Sequence, residues 1–191
     1  MNDLSVYVSK CIGILFRVSS FLPTTIMMRI FNSMINSKLS YMITSYGTAN
    51  KTTIDRLFVL QKRALKVIFR LPIDFSSFRL FTTKTVGTLP LRLMFERSIA
   101  LITYQMLNNL TLHSLELQRL PTTQQTRRAV QGRLIPRKAR TTKFGQSCFE
   151  FLAPQIFNNI PHQITIAPSL TIFKRQFTNF LLSNENIIRS L

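Results

Sequence analysis

One stretch of the chain has the residue types and spacing to bind phosphate. Residues 56 to 72, RLFVLQKRALKVIFRLP, contain five Lys or Arg and no acid. In a helix these five cations lie within an arc of roughly 120°, opposite a run of apolar side chains. They are Arg56, Lys62, Arg63, Lys66 and Arg70. We expect them to contact the phosphates of a nucleic acid without reading its bases, although a solvated helix face is the simpler alternative.

A second basic stretch follows in the C-terminal half. Residues 117 to 149 contain no acid, and seven basic residues lie between positions 127 and 143. Thr, Gln, Pro136 and two glycines interrupt any helical pattern, so we predict an extended arm. A solvated linker is the alternative. Arginine contacts phosphate through a rigid fork that lysine lacks. The candidate phosphate ligands here are Arg127, Arg128, Arg137, Lys138, Arg140 and Lys143.

The sequence contains no recognisable active-site motif. Mg²⁺-dependent phosphoryl transfer needs converging carboxylates, and Asp3, Asp55 and Asp74 have no acidic neighbour. For Asp55 we expect a basic partner on its own helix. His113 and His162 lack metal-ligand spacing, and the two cysteines, Cys11 and Cys148, suit small apolar positions. We therefore predict no catalytic residue, no metal site and no cofactor in this chain.

The charge of the chain indicates a polyanionic partner. The 191 residues carry 25 Lys and Arg against seven Asp and Glu, a net charge of +18. Like charges oppose compaction, so such an excess suits RNA, DNA or an anionic membrane surface. The apolar run CIGILF near the N-terminus is too short for a secretory signal or a membrane span. We expect an intracellular protein, cytoplasmic or nuclear, with no membrane span.

The positions of apolar residues predict a mainly α fold. Helices are expected over 4–21, 24–46, 53–70, 90–109 and 146–158, with a short helix within 73–89 and a last helix after Pro168. We expect Gly47 to stop the second helix, Thr52 or Thr53 to cap the third, and Ser169 to cap the last. Aromatic residues at helical spacing near the C-terminus are expected in the core, namely Phe157, Phe173, Phe177 and Phe180.

Three folding regions follow from this pattern. We predict a helical, thumb-like bundle over 1–110, a basic extended arm over 111–145, and a C-terminal helical pair over 146–191. The apolar faces of the helices recur along the chain, which favours their packing together in a bundle.

Several motifs, in the same order, resemble the region downstream of the polymerase palm in non-LTR (LINE-type, Jockey-like) retrotransposon reverse transcriptases. The N-terminal half carries VSKCIGILFRVSSFLP (8–23), LSYMITSYG (39–47) and LFVLQKRALKVIFRLP (57–72). The C-terminal half is similar to the family pattern Thr-Arg, Pro-Arg-x-x-Arg-Thr, Gly-Pro-x-x-Trp-Asn-x-x-Pro and Ser-Leu-x-x-Phe-Lys. These motifs correspond to Thr126–Arg127, Pro136–Thr141, Ala153–Pro161 and Ser169–Lys174.

The chain departs from this family at its tryptophans and at one glycine. Phe157 stands where the box tryptophan is usual, Tyr46 where another is usual, and Ala153 replaces the box glycine. Aromatic exchanges of this kind can preserve packing.

The resemblance implies the thumb and post-thumb part of an RNA-directed DNA polymerase, beginning at an internal methionine. The family's catalytic aspartates and endonuclease lie upstream of the matching region, so no catalytic residue is carried over and Mg²⁺ is expected only in the missing palm. The implied partners are RNA or DNA and the upstream palm and fingers domains. Without those domains, the chain would expose an apolar patch at the place where the palm packs. Alternatives are a basic membrane-surface or structural protein, and a non-functional translated relic of a transposon.

Overall fold

The computed structural model describes residues 2–82, 88–110, 117–119, 133–141 and 144–183. These residues are mainly helical, which confirms the predicted mainly α fold class. The chain divides into two compact units, Met1–Phe95 with Leu181–Leu191, and Glu96–Phe180. The sequence-based division at 110 and 145 stays a prediction.

The helices follow the chain in an order close to the expected one. The first unit contains α1 (Asn2–Val18), α2 (Thr24–Ile30), a π-helical segment (Phe31–Asn36), α3 (Ser37–Ser40), α4 (Ile43–Tyr46), α5 (Lys51–Ile68) and α6 (Ser77–Thr82). Then come α7 (Leu91–Leu107), α8 (Phe149–Asn158), α9 (His162–Thr165) and α10 (Leu170–Ser183). In the part of the chain that the structure describes, no helix is both long and apolar enough to span a membrane.

The core of the first unit lies between α1 and α5, which pack against each other. On α1 the buried residues Val8, Cys11, Ile12 and Leu15 recur every three or four positions, as an amphipathic helix requires. On α5 six apolar residues on the side opposite the cations are all buried, as the apolar run in the sequence predicts. They are Ile54, Leu57, Phe58, Ala64, Leu65 and Ile68.

The segment from 24 to 46 differs from the single α-helix that we predict. It contains a π-helical turn and breaks at Tyr41 and Met42, where Met42 has a φ of 49°. The buried residues follow a strict four-residue spacing, through Met27, Phe31, Ile35, Leu39 and Ile43. In an α-helix every fourth residue overshoots a full turn by roughly 40°, so this stripe would wind away from the core. The wider π turn rotates less per residue and keeps the stripe on one side.

Gly47 ends α4, as predicted, but for a reason that the sequence does not reveal. Its φ is −64°, an ordinary helical value, so no left-handed conformation requires glycine here. A Cβ at this position would instead lie 2.6 Å from the Ile43 carbonyl oxygen and closer still to the ring of Phe95. The adjacent Tyr46 donates its hydroxyl to the Leu39 carbonyl, and burial raises the pKa of Tyr46 to about 12.

Replacing Gly47 and Gly13 by alanine should change the free energy of unfolding in opposite directions. Gly47→Ala should lower the free energy of unfolding by about 1–3 kcal/mol, because overpacking forces neighbours to shift. Gly13→Ala, in the middle of α1, should raise it by about 0.5–1 kcal/mol, because a Cβ there meets nothing within 4 Å and alanine favours helix. Urea denaturation followed by far-ultraviolet circular dichroism measures both. Equal shifts of the same sign would contradict this account.

The start of α5 corrects one prediction. The helix begins at Lys51 and its cap position is Asn50, with no side-chain capping bond. Thr52 and Thr53 lie inside the first turn instead, so the predicted threonine cap is wrong. The first-turn amides of Thr53 and Ile54 donate to the Asn50 carbonyl, which needs no particular side chain.

A buried glutamine joins α5 to the chain before α7. Gln61 is 0% exposed, and its Nε2 donates to the Leu89 carbonyl at 2.9 Å. Its Oε1 accepts the Leu91 backbone N–H, also at 2.9 Å. The first turn of a helix leaves N–H groups without intrahelical acceptors. Gln61 satisfies one of them from inside the core.

The second unit is built around stacked aromatic rings. Phe173 of α10 stacks with Tyr104 of α7 at 4.4 Å between ring centroids, with Phe157 at 6.2 Å and with Phe177 at 5.8 Å. The Tyr104 hydroxyl donates to the Ala167 carbonyl at 2.5 Å. Phe157, Phe173 and Phe177 are buried and Phe180 is half-buried. The predicted structural role of these phenylalanines is therefore confirmed.

The cap of α10 is also as predicted. The Ser169 hydroxyl accepts the backbone N–H of Ile172 at 3.3 Å, and the Ser169 carbonyl accepts that of Phe173 at 2.9 Å. Serine at this position satisfies an N–H group that the helix itself cannot.

Candidate nucleic-acid interface

The five cations of α5 and its C-terminal end fall into three structural situations. Arg56 and Arg63 are exposed, and neither forms an ion pair or side-chain hydrogen bond with any residue that the structure describes. Seven residues make almost two helical turns, so the two guanidinium groups lie along one line of the helix surface. These two residues are available to an external anion.

Lys62 is half-buried beside the ring of Phe58. Its ammonium lies 4.5 Å from the centroid of the Phe58 ring, a cation–π contact. Burial is the largest cause that lowers the pKa of Lys62, the charge on Lys66 lowers it further, and Asp55 opposes the shift. The ammonium therefore sits in a less favourable environment for charge than the exposed arginines.

Lys66 and Arg70 are anchored to the backbone. Lys66 donates its ammonium to the Ile73 carbonyl, and Arg70 Nη2 donates to the Ser19 carbonyl at 2.6 Å. These contacts hold the chain after α5 and the turn after α1. The two residues are thus structural tethers as well as charges.

Arg70 also closes α5 in an unusual conformation. Its φ is 52°, its N–H donates to the Val67 carbonyl, and the Leu71 N–H donates to the Lys66 carbonyl. This is a Schellman motif with arginine at the left-handed position that glycine usually occupies. The sequence gives no signal for it, because arginine in a cationic helix is most simply assigned to the solvent face.

Asp55 does not have the intrahelical partner that we expected. Its carboxylate pairs with the guanidinium of Arg92, which lies on α7. That prediction is wrong because a residue on a different helix comes closer than any basic residue on α5. The pair joins α5 to the first turn of α7, next to the Gln61 contacts, and removes one acid from the cationic side.

In the basic arm, three of the six predicted ligands lie within the described residues. All three are exposed, and Arg137 also forms an ion pair with Glu150 in the first turn of α8. Arg127, Arg128 and Lys143 lie outside the described residues. The described parts of 117–145 are not helical and include one bridge, between Arg119 and Leu134.

The arm is held to α8 by a side chain that sequence reasoning missed. Asn158 Oδ1 accepts the Leu134 N–H and its Nδ2 donates to the Leu134 carbonyl, both at 2.9 Å. One amide thus pairs with both backbone groups of a residue in the arm. The available signal was the asparagine of the box at 153–161, but its role is structural.

Residues 137–141, Gly145, Cys148 and Phe151 line an open groove of about 600 Å³ within the second unit. Its wall includes Arg137, Lys138, Arg140 and the Cys148 thiol. The turn closes because the Gly145 N–H donates to Thr141 Oγ1 at 2.9 Å, and a Cβ on Gly145 would lie 2.8 Å from the Thr141 carbonyl oxygen. The structure therefore gathers part of the basic arm around a concavity.

Residues that could serve metal or thiol chemistry stay apart. Among the described residues, no group of three His, Cys, Asp or Glu is placed to hold a metal ion. Cys11 is buried and Cys148 is half-buried, as predicted, and both are free thiols. His162 is exposed in α9, whereas His113 lies outside the described residues.

Comparison with known proteins supplies no relative. No family model, curated protein or solved structure matches the chain. The functional argument therefore depends on the residues and their geometry.

Proposed function

We propose that this chain binds RNA or DNA without sequence specificity, through the exposed side of α5 and through the basic arm. The observation that carries this proposal is the charge imbalance: seven carboxylates can neutralise at most seven of 25 cations. Within the described residues two ion pairs occur, Arg92–Asp55 and Arg137–Glu150. Such an excess favours a partner that supplies phosphates.

The geometry of α5 supports this proposal and reduces the number of residues on this helix that are free to contact phosphate. Arg56 and Arg63 are exposed along one line, whereas Lys66 and Arg70 are committed to backbone carbonyls. We therefore assign Arg56 and Arg63 as the principal phosphate contacts of this helix. Lys62, Lys66 and Arg70 contribute charge to the surface.

The proposal extends to the origin of the chain. The motifs at 8–23, 39–47 and 57–72, with the C-terminal series from Thr126 to Lys174, support a thumb and post-thumb region of a non-LTR retrotransposon reverse transcriptase. On this proposal the chain grips template and primer. The metal-binding aspartates of such a polymerase lie in its palm, and the residues of this chain do not match that palm.

Charge reversal on α5 should weaken binding and flatten its salt dependence. For the double variant Arg56→Glu/Arg63→Glu we expect the log–log slope of duplex DNA affinity against salt to fall by about 1.8, because each lost phosphate contact removes about 0.9. Fluorescence anisotropy with a labelled duplex over a series of salt concentrations measures the slope.

The matched control is Lys10→Glu/Arg17→Glu on α1, where both residues are also exposed. Both double variants change the net charge from +18 by −4 to +14. A local interface predicts a clearly larger loss for the α5 variant. Equal losses of DNA affinity in the two variants would show that only the total charge matters. If the affinity of the unmodified protein did not depend on salt, the nucleic-acid proposal itself would be contradicted.

Binding to an anionic membrane surface is the second candidate, and the exposed side of α1 favours it. Val6, Tyr7 and Ile14 are exposed there beside Lys10 and Arg17. A helix of this type can lie in the lipid interface. Co-sedimentation with vesicles rich in phosphatidylserine, compared with neutral vesicles, tests it. Binding to the anionic vesicles that survives Arg56→Glu/Arg63→Glu but not Val6→Ser/Ile14→Ser would favour this candidate.

A further inference from the structure

The side of α1 opposite its buried residues carries a seven-residue repeat, and we call this side the outer face of α1. Its members recur at the first, fourth and fifth positions of each repeat, which is the spacing of one continuous helix face. They are Asp3, Val6, Tyr7, Lys10, Gly13, Ile14 and Arg17. The charged members are exposed and form no ion pair with any residue that the structure describes.

The apolar members of the outer face are only partly covered. Val6 is 51% exposed, Tyr7 37% and Ile14 45%. Gly13 lies in the middle of the helix, where glycine is less stable than alanine, and a Cβ there would meet nothing within 4 Å. Contacts with the described residues therefore do not explain a glycine at this position, whereas the close approach of another helix would.

The charges of the outer face complement those of a second copy that lies antiparallel to it. With Lys10 at the centre, Asp3 lies at the level of Arg17 of the second copy, because each is seven residues from Lys10. Two-fold symmetry repeats this opposite-charge contact at the other end of the helix pair. The two Lys10 side chains meet at the centre, where their long stems can carry the ammonium groups outward to water.

The apolar positions match in the same antiparallel arrangement. Val6 and Tyr7 lie four and three residues before Lys10, and Ile14 and Gly13 lie four and three residues after it. Val6 and Tyr7 of one copy therefore come to the level of Ile14 and Gly13 of the other. The missing side chain of Gly13 leaves room for an apolar side chain of the second copy.

We propose that the outer face of α1 is a two-fold symmetric interface between two copies of this chain. A parallel pair in register would place Asp3, Lys10 and Arg17 each against its own copy, so every charged contact would be repulsive. A lipid surface has no fixed spacing of charges, and Asp3 would repel its anionic headgroups. This inference is independent of the proposed nucleic-acid binding, since the exposed arginines of α5 take no part in it.

The interface is small, and the charge of the chain opposes it. One helix pair, roughly 21 Å long, does not provide the about 1,200 Å² of a standard interface, so we expect reversible dimers at roughly 10–100 µM protein. Two chains of +18 also repel each other. Salt shortens the range of this repulsion from about 8 Å at 0.15 M to about 3 Å at 1 M. Dimerisation should therefore strengthen with salt, whereas phosphate binding weakens.

A charge exchange tests the interface. By sedimentation equilibrium without nucleic acid, Asp3→Arg and Arg17→Asp should each weaken dimerisation about 10-fold or more, because each places like charges opposite each other twice. The double variant Asp3→Arg/Arg17→Asp restores both opposite-charge contacts and keeps the net charge at +18. It should therefore dimerise like the unmodified protein. Circular dichroism verifies that each variant is folded.

Cross-linking tests the position of the two-fold axis. In a Cys148→Ser background, Lys10→Cys treated with copper phenanthroline should form a covalent dimer, because residue 10 of each copy lies at the axis. The matched control is Ser9→Cys, which is exposed on the same helix but lies outside the outer face. Cys11 is buried and common to both variants. Equal cross-linking of the two variants would contradict this register.

Two other results would overturn the dimer. The first is a dimer that the single charge variants leave unchanged, since it would use another surface. The second is a chain that stays monomeric at both salt concentrations while Val6→Ser/Ile14→Ser abolishes its binding to phosphatidylserine vesicles. In that case the outer face contacts lipid and not a second copy.

Discussion

Phe173→Ala should lower the free energy of unfolding by about 3–5 kcal/mol, the range for removing a large buried aromatic side chain. Phe173 is fully buried and stacks with three rings, those of Tyr104, Phe157 and Phe177. The substitution removes burial and leaves a cavity among these rings, which are themselves held by the helix backbones. Urea denaturation monitored by circular dichroism should show the midpoint shifting to much lower urea.

The matched control uses the same substitution at an exposed ring. Phe21→Ala, at a ring that is 84% exposed, should change the free energy of unfolding by less than about 0.5 kcal/mol, as is usual for surface positions. Phe173→Leu should fall between the two, since leucine refills part of the cavity. A midpoint for Phe173→Ala that matches Phe21→Ala would contradict the aromatic core described for the second unit.

Gln61→Leu should lower the free energy of unfolding by about 2–4 kcal/mol, although it places an apolar side chain in an apolar core. The reason lies in the partners: the Leu89 carbonyl and the Leu91 N–H both lose their hydrogen bonds while they stay buried. A buried polar group left without a partner costs about 1–3 kcal/mol. Leucine's own burial offsets part of this loss.

Two further variants separate this mechanism from a simple packing defect. Gln176→Leu, at an exposed position of α10, should leave the denaturation midpoint almost unchanged. Gln61→Glu buries a carboxyl group that retains the acceptor for the Leu91 N–H and loses the donor to Leu89 when it ionises. Burial raises the folded-state pKa of that carboxyl, so its destabilisation should grow as pH rises through and above its unfolded value. The bridging role would be ruled out if the destabilisation by Gln61→Glu did not depend on pH, or if Gln61→Leu left the free energy of unfolding unchanged.

The amphipathic helices were the predictable part of this fold. On α1, α5 and α10 the apolar spacing alone identifies the buried residues, and the Ser169 cap follows from residue type. The roles of individual polar residues depend on tertiary contacts, which the sequence does not show. Gln61 reads as a polar interruption of the α5 face, yet it is needed there because a loop and a helix start lie against it.

The candidate interface was predictable in location but not in the role of each residue. Clustered charge identified α5 and the arm, whereas the backbone tethers of Lys66 and Arg70 and the Arg137–Glu150 pair depend on three-dimensional proximity. Asp55 illustrates the same limit, because its partner Arg92 is distant in sequence.

The π-helical turn at Phe31–Asn36 constrains how this chain can change in length. Adding one residue there would rotate everything after it by somewhat less than the roughly 100° of an α-helical step, so that Leu39 and Ile43 would leave the core together. The turn between α1 and α2 has no such phase to keep. Insertions should therefore accumulate around residues 19–23 and be excluded from 31–36.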